Sequence, residues 1–80
     1  MPRYLLHHHH EPNACGVAFA AFRGFESPLR HKDALASCHF GGHSIWWTVD
    51  SASEENALAL LPFYVCERTT AVPVSEVQIP

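Results

Sequence analysis

Residues 4–15 read Tyr-Leu-Leu-His-His-His-His-Glu-Pro-Asn-Ala-Cys, which joins a strand-like start, four histidines and a helix-start signal. Tyr and Leu suit a pleated sheet, and no breaker occurs before Pro12, so the run predicts a first strand from Arg3 to about His9. A histidine run near an N-terminus is also typical of a purification tag. Because a strand-like run precedes the histidines and a helix cap follows them, we interpret them as part of the native fold.

A first helix is predicted after this strand. Asn13 is a favourable N-cap residue, and apolar side chains follow it at helical spacing. Gly24 is the natural end of the helix, because glycine readily adopts the left-handed backbone found just beyond a helix C-terminus. The predicted buried stripe consists of Cys15, Ala18, Phe19 and Phe22.

A glycine pair at positions 41 and 42 separates two strand-like runs, 34–40 and 43–49. Two glycines supply the positive φ angles of a tight hairpin turn, so the runs are predicted to pair directly. A two-residue loop would place Phe40 opposite His43 and Cys38 opposite Ile45.

The remainder of the chain predicts a second helix and a final strand. Residues 51–54, Ser-Ala-Ser-Glu, resemble a capping box, and the helix that they open is ended or kinked by Pro62. Residues 63–70 are compatible with a further helical turn or with an irregular connection. Residues 71–79 are predicted to form the last strand, which Pro73 restricts to a sheet edge or a late start.

The order strand, helix, strand, strand, helix, strand predicts an α+β fold of the ferredoxin-like βαββαβ type, with residues 1–80 as one domain. Right-handed crossovers would give a four-stranded antiparallel sheet. We expect the first and third strands to lie in its centre and to run parallel.

This order, the length of 80 residues, the Leu61-Pro62 pair ending the second helix and a last strand running to the C-terminus resemble the dimeric α/β-barrel superfamily, which includes muconolactone-isomerase-like proteins. The histidine-rich first strand is similar to that of small nickel-binding ferredoxin-like proteins. The resemblance implies a homodimer packed sheet against sheet.

The amino-acid composition predicts which classes of partner and which compartment suit this chain. Hydrophobic residues make up 48% of the chain and charged residues 16%, which fits a packed core, and so short a chain would gain from a second subunit. A net charge of −3 with five Lys and Arg predicts no nucleic-acid partner. No apolar run spans a bilayer and no signal peptide is evident, so we expect a cytoplasmic protein without a membrane partner. Three widely spaced cysteines indicate free thiols.

Alternation along the first strand places His8 and His10 on one face, with the other two histidines on the opposite face. Cys15 comes soon after the strand end, and Glu11 could add a carboxylate. Imidazole and thiolate bind zinc, nickel or copper, so these four residues predict a site for a divalent transition metal. The alternative is that His8 is a hydrogen-bonded core histidine and Cys15 a small apolar residue.

Cys38 and His43 form a second candidate pair at the predicted hairpin, and they share one face of it. They would need a third ligand from elsewhere, which a second subunit could supply. Parallel central strands would put His43 at the opposite end of the sheet from His10, so we expect the two sites to be separate. The alternative is that Cys38 belongs to the core.

A rival hypothesis is a small-molecule-binding enzyme of isomerase, cyclase or oxygenase type, and the sequence leaves open whether the chain is an enzyme. Its ligand would lie in a cleft between two sheets. The lining would be Trp46 or Trp47 with His8, His39 and Ser37, one histidine serving as acid or base. A basic group could hold an anionic substrate, although a solvated loop is the commoner explanation. The group is Arg23, Arg30, His31 and Lys32.

Overall fold

The computed structural model describes residues 1–80. Along the chain its elements are β1 (Arg3–His9), α1 (Cys15–Ala20), β2 (Leu35–Ala36), β3 (Ser44–Asp50), α2 (Glu54–Leu58), α3 (Phe63–Cys66) and β4 (Thr69–Val74). Short 3-10 turns at Pro12–Ala14 and Cys38–Phe40 precede α1 and β3. No helix has the length and apolar character needed to cross a membrane.

The strands form one four-stranded antiparallel sheet in the order β2-β3-β1-β4. The predicted α+β class and antiparallel sheet are thereby confirmed, but the expectation that the first and third strands are parallel is wrong. β1 and β3 run antiparallel, from Arg3 opposite Asp50 to His9 opposite Ser44. β2 and β3 are joined by a loop and pair antiparallel. β3 lies between β2 and β1 in the sheet and is antiparallel to both. The end of β1 therefore lies beside the start of β3.

One face of the sheet carries the hydrophobic core. Leu6 of β1 is completely buried and packs with Val49 of β3. The helical side of this cluster is formed by Ala57, Leu61 and Val65. His8, two residues beyond Leu6 on the same face, is also fully buried, whereas His9 is exposed. The predicted alternation of β1 is thus confirmed, and the even-numbered histidines face the helices.

The first helix is shorter and less buried than its pattern predicts. It is entered through the 3-10 turn, and α1 ends at Ala20, followed by turns that reach Gly24. Gly24 has the expected positive φ of 76°. Ala18 is buried, but Phe19 is 53% exposed. In so short a helix only the side chains near the sheet can be covered.

The predicted two-residue hairpin is wrong in register. β2 pairs Leu35 with Trp46 and Ala36 with Ile45, so Ile45 lies opposite Ala36 rather than Cys38. This shift by two residues leaves the side chains of β2 and β3 on their predicted faces, because strand faces alternate with period two. Residues 38–43 instead form a loop that folds back toward the end of β1.

Ser37 and Gly42 close this loop. The Ser37 carbonyl accepts hydrogen bonds from the backbone N–H groups of Phe40 and Gly42, both at 2.9 Å. Ser37 Oγ accepts a third from the N–H of Ser44 at 3.1 Å. A Cβ atom at position 42 would collide with Ser37 Oγ, so only glycine fits there. Gly41 supplies the turn itself, with a φ of 83°.

The C-terminal half differs from expectation in its boundaries. The cap of α2 is Ser53, whose Oγ accepts a hydrogen bond from Asn56 N at 3.1 Å, and not Ser51. Residues 63–66 are helical, which settles the question left open by the sequence. β4 is an edge strand that contains Pro73, as predicted, but it ends at Val74 and not at Ile79.

Candidate metal centre

Four side chains that could ligate a metal converge at one end of the sheet. They come from three places in the chain: His10 follows β1, Cys15 begins α1, and Cys38 and His43 lie in the loop before β3. One ligand atom from each side chain can be chosen so that all four lie within 4.8 Å of one another. We call these four residues the His-Cys cluster.

Interatomic distances within the His-Cys cluster are close to those of a metal site. Cys15 Sγ lies 3.2 Å from His10 Nε2 and 3.2 Å from His43 Nδ1, and Cys38 Sγ lies 3.5 Å from His10 Nε2. A tetrahedral zinc ion, with Zn–N of about 2.0–2.1 Å and Zn–S of about 2.3 Å, separates nitrogen and sulfur ligands by about 3.6 Å. These three nitrogen–sulfur contacts lie within a few tenths of an ångström of that separation, and all four ligand atoms lie within 4.8 Å of one another.

The backbone explains why these residues meet. Antiparallel pairing continues beyond the strands, because His10 N–H donates to the His43 carbonyl at 3.1 Å. The turn at Pro12–Ala14, closed by Ala14 N–H donating to the Glu11 carbonyl at 2.9 Å, reverses the chain after β1 and brings Cys15 back. The loop between β2 and β3, closed by Ser37 and Gly42, brings Cys38 toward His10.

His8 determines which nitrogen of His10 faces the cluster. His8 Nδ1 lies 3.3 Å from the Val65 carbonyl and 3.4 Å from Thr69 Oγ1, whose hydrogen is already donated to that carbonyl at 2.6 Å. Both neighbours can accept, so we assign the proton of His8 to Nδ1. In neutral His8 the Nε2 atom is then an acceptor, and it lies 3.0 Å from His10 Nδ1. His10 therefore donates from Nδ1 and keeps an unprotonated Nε2, directed at the two thiols. A hydrogen bond from the ring nitrogen that does not bind the metal fixes the tautomer of metal-binding histidines.

Burial sets the protonation state of the site. Desolvation lowers the pKa of His8 and of His10 below that of an exposed histidine, which favours the neutral imidazoles that a metal requires. Desolvation, followed by the neighbouring Cys15, raises the pKa of the Cys38 thiol. A bound cation would offset this cost by stabilising the thiolate, and its binding would release thiol protons.

Residues from the two candidate sites predicted from sequence lie together in the His-Cys cluster. The expectation that His10 and His43 lie at opposite ends of the sheet is wrong, because β1 and β3 are antiparallel. His8 is not in the cluster but is hydrogen-bonded to it, and Glu11 is exposed and outside it. One sequence feature could have indicated a single four-ligand site: the spacing His-x4-Cys at 10–15 is repeated in reverse as Cys-x4-His at 38–43.

The odd-numbered histidines lie on the opposite face of the sheet. His7 stacks on Trp46 with ring centroids 5.1 Å apart, and Ser44 Oγ lies 3.1 Å from His7 Nε2 and 3.3 Å from His9 Nδ1. Trp47 faces the helices instead, with its ring centroid 6.1 Å from that of Phe22. The residues expected to line one cleft are therefore divided between the two faces.

The donor set of two imidazoles and two thiols has a definite chemical preference. Thiolates favour zinc, copper(I) and iron–sulfur clusters over hard cations, and tetrahedral sites with two nitrogen and two sulfur ligands are typical of zinc. Four protein ligands fill such a coordination sphere. No protein-family model, curated protein or solved structure matches this chain.

Proposed function

We propose that this protein binds one divalent transition metal ion, with zinc as the best fit, through His10, Cys15, Cys38 and His43. The observation that supports the proposal is the convergence of these four ligand atoms within 4.8 Å of one another. Nickel(II) and copper(II) favour planar or tetragonal nitrogen and oxygen sites, so the two thiolates favour zinc.

The proposed role of the metal is structural. Catalytic zinc sites keep one position for water or substrate, whereas sites with four protein ligands are closed. The ion would join the end of β1, the start of α1 and the loop before β3, and Cys15 and Cys38 are separated by 22 residues. Such a link is valuable in a chain with only 13 buried residues of 80, because small domains bury little of their surface.

Elemental analysis of protein purified without a tag or metal-affinity resin tests the proposal. We expect about one zinc ion per chain, as a single four-ligand site requires. Cys15→Ser and His43→Ala should each lose the ion. Cys66→Ser and His39→Gln are matched controls, because Cys66 and His39 lie outside the cluster, and they should retain it. Metal-free protein that takes up no zinc would refute the proposal.

Cobalt substitution tests the ligand set independently of zinc content. A tetrahedral Co²⁺ ion with thiolate ligands has intense visible and charge-transfer absorption, whereas an octahedral ion bound by oxygen absorbs weakly. We expect the intense spectrum, reduced in Cys38→Ser and unchanged in Cys66→Ser. A weak octahedral spectrum would show that the thiols are not ligands.

We also propose a ferredoxin-like fold that forms a homodimer through the sheet face opposite the helices. The strand order and the placement of the core on one face support this fold. Apolar side chains exposed on the other face support the interface, with Leu35 76% and Val72 49% exposed. Light scattering at micromolar concentration should give the dimer mass, and Val72→Lys should shift it toward the monomer. A monomer for the unmodified chain would refute the dimer.

A reducing compartment such as the cytoplasm is the proposed location. All three cysteines are free, and thiolate ligands require reduced sulfur. Fluorescence microscopy of the tagged chain in its own cells would test this, and a signal confined to an oxidising compartment would contradict it.

A further inference from the structure

A cavity of about 360 Å³ lies between three parts of the structure: α1 with the turn that follows it, residues 29–34, and the sheet strands β2 and β3. Its lining includes the apolar side chains of Phe22, Ile45 and Trp47. Its size falls in the lower part of the range for small-molecule sites, about 300–1,000 Å³. The cavity contains no residue of the His-Cys cluster. It is therefore distinct from the proposed metal site.

Cationic side chains are concentrated around this cavity. The chain has five Lys and Arg residues and a net charge of −3, yet Arg23, Arg30 and Lys32 all line this one cavity. His31 lies among them, and Asp33 is the one acidic residue of the lining. A low-dielectric cavity wall beside several charges of one sign focuses the local potential and attracts an ion of the opposite sign.

These three cations also differ from the other two in their partners. Arg3 pairs with Asp50 at 3.2 Å, and Arg68 pairs with Glu67 at 2.7 Å. No carboxylate lies within 4.0 Å of the charged groups of Arg23, Arg30 or Lys32. Their charges are thus available to an external anion.

Backbone geometry adds an observation at the same place. His31, between Arg30 and Lys32, has a φ of 63°, a left-handed conformation that is uncommon outside glycine. Such conformations cost free energy and are enriched where a chain is shaped around a ligand. This residue lies within the segment that carries two of the three cations lining the cavity.

We infer that this cavity binds a small organic anion with an apolar body, such as an aromatic carboxylate. The carboxylate would accept hydrogen bonds from the guanidinium groups, which match its geometry in a bidentate manner. The ring would contact Trp47 and Phe22 and so be removed from contact with water. An inorganic anion would use only the charges, and a neutral aromatic would use only the apolar wall.

Calorimetric titration with 1-naphthoate tests the inference, with 1-naphthamide as the neutral isostere and inorganic phosphate as the anion alone. The full chain is used, saturated with zinc where it binds zinc, at low ionic strength. Naphthoate should bind at least about tenfold more tightly than either comparison compound, since it alone engages both parts of the cavity. Arg30→Gln and Arg23→Gln should each weaken it about three- to tenfold, as expected for loss of one partly exposed cation.

Arg3→Gln is the charge-matched control, because it removes one cation that does not line the cavity, and it should leave naphthoate affinity unchanged. Ala36→Phe should block the site by filling it, without touching a cation. Equal affinity for naphthoate and naphthamide, or equal weakening by Arg3→Gln and Arg30→Gln, would overturn the inference. So would phosphate binding as tightly as naphthoate. Zinc content is measured on the same samples, so a failure of the metal site is seen separately.

Discussion

Replacing His8 with leucine should weaken zinc binding although His8 is not a ligand. His8 is completely buried and accepts the Nδ1 hydrogen of His10. Leucine preserves apolar volume but provides no acceptor. The Val65 carbonyl still receives a hydrogen bond from Thr69 Oγ1 at 2.6 Å, so His10 is the one group left without its partner.

The expected magnitude follows from that single loss. A buried donor without a partner costs about 1–3 kcal/mol. Loss of the hydrogen-bond partner of a metal-binding histidine typically lowers metal affinity about 10- to 100-fold, which corresponds to about 1.4–2.8 kcal/mol. The two figures agree, so we expect His8→Leu to raise the Kd for zinc by about 10- to 100-fold, with no loss of stoichiometry.

Competition with a chromophoric chelator measures this Kd. His8→Gln is the rescue variant, because its amide oxygen can accept from His10 while its amide nitrogen donates to the Val65 carbonyl. It should recover most of the lost affinity. Nitrogen-15 NMR of the imidazoles should show His10 protonated at Nδ1 in the unmodified chain. A folded His8→Leu protein with unchanged zinc affinity, or a His10 protonated at Nε2, would refute the reasoning.

Three further predictions concern stability and the loop before β3. Because burial lowers the pKa of His8 and His10, the unfolded chain takes up these protons first as the pH falls. Metal-free protein should therefore lose stability as the pH falls through about 6.5, measured by urea unfolding. Leu6→Ala in the fully buried core should lower the free energy of unfolding by about 2–5 kcal/mol in the same assay. Gly42→Ala should weaken zinc binding, measured by chelator competition, because its Cβ collides with Ser37 in the loop that carries two of the proposed ligands; unchanged affinity would contradict this role for the loop.

Much of the sheet could be predicted from local pattern. The bounds of β1, the opposite faces of its even- and odd-numbered histidines and the edge position of β4 all follow from strand periodicity and from Pro73. The helix boundaries were less predictable. Ser51 and Ser53 are both good cap residues, but the Ser51 N–H donates to the Pro2 carbonyl just beyond β3, and the helix begins after Ser53.

The candidate metal site could not be predicted as one site without the relative direction of β1 and β3. Each half of the His-Cys cluster was visible in sequence, but a wrong relative direction of β1 and β3 kept the halves apart. The loop register added a second error, because a Gly-Gly pair predicts a two-residue turn as readily as the longer loop closed through Ser37 and Gly42. Neither error changed the face of a side chain within β1, β2 or β3.

The sequence by itself determined which residue types could ligate a metal and which face of β1 each of its histidines takes, because alternation is a local property of extended backbone. Only the tertiary structure decided that His10 and His43 are neighbours, since antiparallel pairing joins residues far apart in the chain. It likewise gave His8 its role. The packing of α3 on the sheet brings the Val65 carbonyl to His8 Nδ1, and His8 Nε2 in turn accepts from His10 Nδ1, which leaves the nitrogen of His10 beside the thiols unprotonated.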